Sequence, residues 1–513
     1  MLRETSSTTF LPSTSSNTKL SSVIAGLRMR PMTKTIFTIL LFSYLFCGSS
    51  DAQIRETQQT AIDKVDEISN TIRLVNKTIW ETAEVGLQET KSSALLMKHL
   101  KENGFKIESG ISGMPTAFVA TYGKGKPVIG LLAEYDALPG MSQQVSPVKL
   151  AREEGFPGHA CGHSGLGAGS LGAAVAIKEA MDKHKLSGTI RFYGTPAEET
   201  VIGKVYMTLD NVFDDLDICL HWHPGTKNNT FAGSSKALVS AKFTFDGTAA
   251  HASGSPEDGR SALDAVELMN VGANYMREHV KEDARLHYVV IDGGGAPNVV
   301  PPKATVWYFC RANTHQDVEY NFRWLKDIAK GAALMTKTEL TVKVDTDCHE
   351  IIPNDSLSHM LYDNLKLIGA PSFTQDEENF ARRLQAPLVA QFNREYPLAI
   401  DDRIHPVTKN PNPSKGSTDV GDISWRVATS GIRTSCFVAD SPGHSWQNVS
   451  SIGSTIGEKG IVYASKVLAI STIDLLEKPE LIANAKAEWQ QRMEGRKYFS
   501  FIPEGQRPPT KIR

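Results

Sequence analysis

The sequence predicts an α/β chain: a domain with a mostly parallel central sheet flanked by helices, interrupted by a smaller α+β domain. Three observations carry this expectation. Residues 128–133, Val-Ile-Gly-Leu-Leu-Ala, are apolar without alternation, as in a strand buried on both faces of a parallel sheet. Residues 165–176 are almost all Gly, Ala, Ser and Leu, which suits a helix lying close against such a sheet. Between 237 and 350 the pattern runs strand, helix, two strands, helix, strand, the split βαβ order of a small α+β domain.

The chain supports this in order. Residues 1–30 are rich in Ser and Thr and show no periodicity. Lys34, the short apolar run 36–47 and the small-x-small Ser50-Asp51-Ala52 read as a secretory signal peptide, which a start at Met29 or Met32 would give conventional proportions. The run is too short to span a bilayer. The expectation is a secreted or periplasmic protein with no membrane segment after cleavage. Ile62, Val65, Ile68, Ile72 and Val75 recur at three- and four-residue steps and predict helix. A second helix is expected over 90–100, and strands over 117–122, 189–194 and 217–220. The inserted domain has predicted strands over 238–245, 288–291, 304–310 and 339–344, with helices over 261–278 and 318–330. Helices follow over 355–368, 376–394 and 457–476, with a long loop over 396–417 and a surface tail. The 513 residues ask for about two domains. The expected boundaries are 1–52 for signal and upstream extension, 53–236 and 351–485 for the two parts of the first domain, 237–350 for the insert, and 486–513 for the tail.

Composition narrows function. A hydrophobic content of 41% with 22% charged residues is that of a soluble globular protein. A net charge of -2 gives no basic field for nucleic acid. Cys219, Cys310, Cys348 and Cys436 are widely spaced in apolar contexts and read as buried free thiols.

Three predicted strands lead into candidate ligands. Residues 128–133 run into Glu134 and Asp136, 189–194 into Glu198 and Glu199, and 217–220 into His221 and His223. Chemistry in open α/β sheets sits at the carboxyl ends of strands. Cys161 and His163 share a Gly-rich bend, and His444 follows Pro442-Gly443. Thiolate, imidazole and carboxylate together suit Zn²⁺ or Mn²⁺, and the set reads as a two-metal hydrolase site. A lone Cys-x-His is commonplace, and Glu134 or Asp136 alone is an ordinary loop acid or cap. Repetition at three strand ends outweighs those readings. His159 reads as supporting or structural, and Asp419 and Asp422 as helix caps or groups that tune the metals. A thiol hydrolase using Cys161 and His163 leaves the Glu pair and His444 unexplained. A ligand-binding protein without catalysis leaves Glu198 unexplained.

Cys161-Gly162-His163, Pro196-Ala197-Glu198-Glu199, His221 three before Pro224, residues 247–251, and 293–301 with Asn298 together resemble the M20 metallopeptidase and amidohydrolase family. Residues 417–425 and 442–447 resemble its aminobenzoyl-glutamate utilization B branch. The resemblance implies two divalent ions, Zn²⁺ or Mn²⁺, held by Cys161, His163, Glu199, His221 and His444. It implies Glu198 as general base and Asp136 as an orienting carboxylate. The motif spacing to Pro224 favours His221 over its neighbour His223. The insert becomes a ferredoxin-like lid that dimerises. His251 there would reach the substrate carbonyl, often across the dimer, while Asn298 and Arg311 would bind the substrate's carboxylate. Expected substrates are N-acyl or N-aroyl amino acids, aminobenzoyl-glutamate first, with other acyl amino acids or dipeptides as the alternative. The expected assembly is a homodimer or a pair with a related second subunit. Glu134 stands where other branches carry His or Asp, which leaves its role open.

Overall fold

The computed structural model describes residues 53–408 and 412–509. The expected signal peptide and upstream extension, with Cys47, lie outside them. Eleven strands are found among the described residues, in two sheets. In chain order they are β1 (Lys106–Ser109), β2 (Phe118–Lys124), β3 (Val128–Ala133), β4 (Gly188–Gly194), β5 (Ile218–Gly225), β6 (Asn229–Thr230), β7 (Ala237–Asp246), β8 (Arg285–Asp292), β9 (Lys303–Ala312), β10 (Glu339–Cys348) and β11 (Thr429–Ser435).

The first sheet has the order β1-β2-β4-β3-β5-β11-β6. Its four central strands β4, β3, β5 and β11 are parallel, and the outer pairings are antiparallel. Every residue of β3 is buried, as its unbroken apolar run requires. The chain passes from β3 to β4 on one side, then returns across β3 to β5. Strand order therefore reverses beside β3, and the crevice at that point is where such sheets take ligands.

The helix His163–His184 makes the crossover from β3 to β4. Its small residues have a steric reason: a Cβ at Gly169 would lie 2.5 Å from the Trp222 indole. This helix shares one core cluster with Thr455–Glu477, Ser69–Thr82 and the inward face of β3. The second sheet, β10-β7-β9-β8, is antiparallel throughout. Helices Ala262–Met276 and His315–Thr336 pack on it, in the split βαβ order expected for the insert.

Three local expectations change. Strand β5 continues to Gly225, so His221 and His223 lie within the strand rather than after it. Strands β1, β6 and β11 lie outside the expected strands; in β11, Thr-Ser-Gly-Ile-Arg-Thr-Ser carries neither an apolar run nor alternation. The C-terminal segment is not a simple surface tail. The helix Pro479–Met493 runs through the expected boundary at 485/486. Beyond it Tyr498 Oη donates to Asp422 Oδ1 at 2.8 Å, and Ile502 is buried. Tyr498, Phe499 and Phe501 pack on His315 and His349, and this apolar anchoring outweighs the charge and Pro around it. No helix among the described residues is long and apolar enough to cross a membrane.

Candidate metal centre

The carboxyl ends of β3, β4 and β5 and the start of the helix His163–His184 bring the candidate groups to one cleft of about 740 Å³. Gly162 makes this possible. Its φ is +86°, and a Cβ there would meet Pro224 and Phe437 at 2.9 Å. The bend turns Cys161 and His163 toward the strand ends.

Three overlapping groups of ligand atoms result: Cys161, His163 and His223; Cys161, Glu199 and His444; and Glu134, His163 and Glu198, each within 4.8 Å. Cys161 belongs to two of them, and so does His163. The imidazole tautomers are set by neighbours. His163 Nδ1 donates to Asp136 Oδ1 at 2.8 Å, and His223 Nδ1 donates to the Pro224 carbonyl at 2.7 Å. Each ring therefore turns an Nε2 lone pair into the cleft, the state a metal ligand needs. Asp136 also accepts from the Glu199 backbone N–H at 2.9 Å. One carboxylate thus orients two candidate ligands.

His163 Nε2 lies 3.3 Å from Glu134 Oε2 and 3.7 Å from Glu198 Oε2, and His444 Nε2 lies 3.4 Å from Glu199 Oε2. Several of these atoms are buried without a hydrogen-bond partner: Glu134 Oε2, His163 Nε2 and Glu199 Oε1. Buried polar atoms are rarely left so. Lone pairs of N, O and S type converging on shared points, with nothing to satisfy them, fit divalent cations.

The ionisable groups gathered here perturb one another: although burial opposes its charge, Cys161 and the Asp136 carboxylate raise the His163 pKa. Burial opposes ionisation of Glu134, but the Lys204 ammonium and then His163 outweigh it and hold its pKa at about 2. Burial pushes Glu199 up to about 8, with Asp136 and Glu134 adding to the rise against His163. Burial, with Glu134 beside it, pushes Glu198 well above the usual carboxylate range. Burial and the Glu199 charge push the Cys161 thiol up.

The expected residues divide. Cys161, His163, Glu198, Glu199, His444 and Asp136 come together. His221 does not join the ligand groups. Its ring packs against Phe231, centroids 4.5 Å apart, and His223 stands with Cys161 and His163 instead. The two side chains share a face of β5, but His223 is two residues nearer the carboxyl end, where the other donors are. That direction was readable from the strand rule. Arg311 lines the same cleft. His251 and Asn298 are exposed and line no part of it. His251 Nδ1 accepts from the Gly254 N–H at 3.0 Å in a loop bridged to Val299.

Glu134, a candidate by its place after β3, meets Lys204, which escaped sequence reasoning. Glu134 has a place among the ligand groups. Lys204 is fully buried, with Nζ 2.7 Å from Glu134 and 2.5 Å from Asp419. The one signal was a lysine set among the apolar residues that follow the Glu pair. Asp419 makes no side-chain cap on its own helix Val420–Ser424; its Oδ2 accepts from the Lys204 backbone N–H at 2.8 Å in the first turn of the helix Gly203–Leu209, and its other oxygen is the second partner of the Lys204 ammonium. Asp422 accepts from His349 Nδ1 at 3.1 Å, in a separate buried network.

The switch-point cleft and its unsatisfied donors define the class: a hydrolase built around divalent metal. Residues 234–335 match the family model described as a peptidase dimerisation domain. The B component of the p-aminobenzoyl-glutamate hydrolase of Escherichia coli (strain K12) is 37% identical over 454 residues, covering 84% of this chain and 94% of the relative. The chain belongs, with that component, to the M20 family of metallopeptidases and amidohydrolases, and is an enzyme of that hydrolase family. The Xaa-Arg dipeptidase of Mus musculus is 24% identical, covering 87% of this chain and 95% of the relative. A Bacillus subtilis dinuclear metal-binding peptidase of the M20 family has the same fold, with a TM-score of 0.52 and 17% identity, covering 80% of this chain and 99% of that one.

Proposed function

We propose that the chain hydrolyses the amide bond of N-acyl or N-aroyl amino acids, with p-aminobenzoyl-glutamate the leading substrate. The observation that carries this reading is the convergence of unsatisfied donors with Glu198 beside them, in a chain akin to a hydrolase of that compound. Cys161, His163, Glu199, His223 and His444 are the proposed ligands, with Glu134 beside them and His223 in place of His221. Two divalent ions, Zn²⁺ or Mn²⁺, would polarise the carbonyl and acidify a water. Glu198 takes the attacking water's proton and returns it to the departing nitrogen. Asp136 holds His163 and Glu199 in place. Lys204 keeps Glu134 ionised.

The second sheet is the proposed dimerisation surface, toward a second copy or a related partner chain. In support, β8 is an edge strand with Val289, Val290 and Ile291 exposed, and Val271 and Tyr275 are exposed on the helix Ala262–Met276. His251 and Asn298 lie away from their own cleft and would serve the partner's, His251 at the substrate carbonyl and Asn298 at its carboxylate. Secretion through the N-terminal signal completes the proposal. Dipeptide hydrolysis is a second reading, favoured by likeness to the mouse dipeptidase.

The test follows p-aminobenzoate release by protein loaded with Zn²⁺ or Mn²⁺. Glu198→Gln and chelated protein run in parallel. Release abolished in both supports mechanism and substrate together. Cleavage of dipeptides alone, still needing Glu198, selects the second reading. No amide hydrolysis by metal-loaded protein overturns both.

A further inference from the structure

Two guanidinium groups line the cleft, and among the described residues neither pairs with a carboxylate. Arg433 stands on β11 opposite His223 in the parallel register. Its Cζ lies 3.6 Å from the centroid of the Phe231 ring. Burial holds its pKa down to about 10. Arg311 stands on β9, on the second sheet, with Cζ 5.4 Å from the Phe309 ring. Its Nε is buried without a hydrogen-bond partner. Both side chains border the cleft that holds the ligand groups.

A guanidinium withdrawn from water without a counter-ion is costly. Its planar fork of donors is shaped for a carboxylate. Both border the space where substrate would lie. A substrate with two carboxylates matches two free guanidiniums. A substrate with a cationic side chain, as in an Xaa-Arg dipeptide, would meet like charge.

We propose that Arg433 is a specificity-determining residue that binds one carboxylate of an N-acyl dicarboxylic amino acid, while Arg311 takes the other. This rests on reading the cleft as an amide-hydrolase site and narrows its substrates to amides of acidic amino acids.

The test is a binding cycle by calorimetry on the full metal-loaded chain carrying Glu198→Gln, so that ligands stay intact. The ligands are p-aminobenzoyl-glutamate, its α-amide and its γ-amide. Arg433→Gln is expected to weaken the diacid about 10–100-fold, the range of a charge-assisted hydrogen-bonded pair. It should leave unchanged the affinity for the one amide that already lacks the carboxylate Arg433 holds. Arg311→Gln should do the same for the other amide, and Arg433→Lys should restore part of the loss. Equal weakening of all three ligands, or of none, overturns the proposal. If no aminobenzoyl ligand binds the parent, the same cycle with N-acetylglutamate and its two monoamides decides. Selective loss there retains the Arg433 assignment and discards only the aminobenzoyl substrate. Failure of every acyl-glutamate to bind overturns the assignment too.

Discussion

His223→Ala and His221→Ala should have opposite effects, although the residues differ by two places on one strand. The two side chains share a strand face with Cα atoms about 6.6 Å apart at ~3.3 Å per residue, but the His223 ring alone stands in a cluster of donor atoms. Two donors of a tetrahedral zinc, with Zn–S of about 2.3 Å and Zn–N of about 2.1 Å, lie roughly 3.6 Å from each other. The His223 Nε2 to Cys161 Sγ separation is 3.4 Å, close to that requirement. On the proposed assignment, removing the His223 ring should weaken metal binding more than the about 10–100-fold typical of a change in a ligand's hydrogen-bond partner. The unfolding midpoint of the metal-free protein should hardly move. His221 is different: it borders the cleft outside the donor clusters and packs on Phe231, and burial lowers its pKa to about 3. His221→Ala should retain metal yet destabilise the metal-free chain by about 2 kcal/mol, from lost aromatic packing and a partly collapsed cavity. Metal content after dialysis and urea midpoints with chelator read the two quantities separately. Loss of metal in His221→Ala with retention in His223→Ala would refute the strand-end reasoning.

Lys204→Met should leave Glu134 and Asp419 as buried carboxylates without their cation and cost about 3–5 kcal/mol; an unchanged urea midpoint would show that Lys204 is not the keystone of that cluster. His315 donates to Asp347 at 2.7 Å, and although burial opposes its charge, the Asp347 carboxylate raises its pKa. The stabilisation is fully present below the unfolded histidine pKa of about 6.5 and is lost as pH rises through the higher folded value. The difference in melting temperature between wild type and His315→Gln should therefore shrink at high pH, and a difference that grows instead contradicts the sign. Val290→Lys places charge on the exposed face of edge strand β8 and should shift any homodimer toward monomer in light scattering, without loss of folded signal.

Sequence by itself determined the class of fold and most of the donors. A strand buried on both faces cannot hide polar residues, so 128–133 announced a parallel sheet. A close-packed crossover helix must be built of small residues, so 165–176 announced its position. Cys161, His163, Glu198, Glu199 and His444 stood out because reactive residue types recur beside strand ends and Gly turns, which are local features. Other decisions needed the tertiary structure. Strand β11 carries Arg433 yet has no local pattern, because its burial comes from β5 and β6 on either side. The proposed choice of His223 over His221 turns on how far β5 extends, which its pairing with β11 sets. Lys204 is far from Glu134 in sequence and reads as an ordinary charged residue. Only folding brings ammonium and carboxylates within 3 Å of one another in a site closed to water. Local periodicity records which face of an element is apolar. It does not record which charged side chains from different elements will share the same dry space, because that depends on long-range packing.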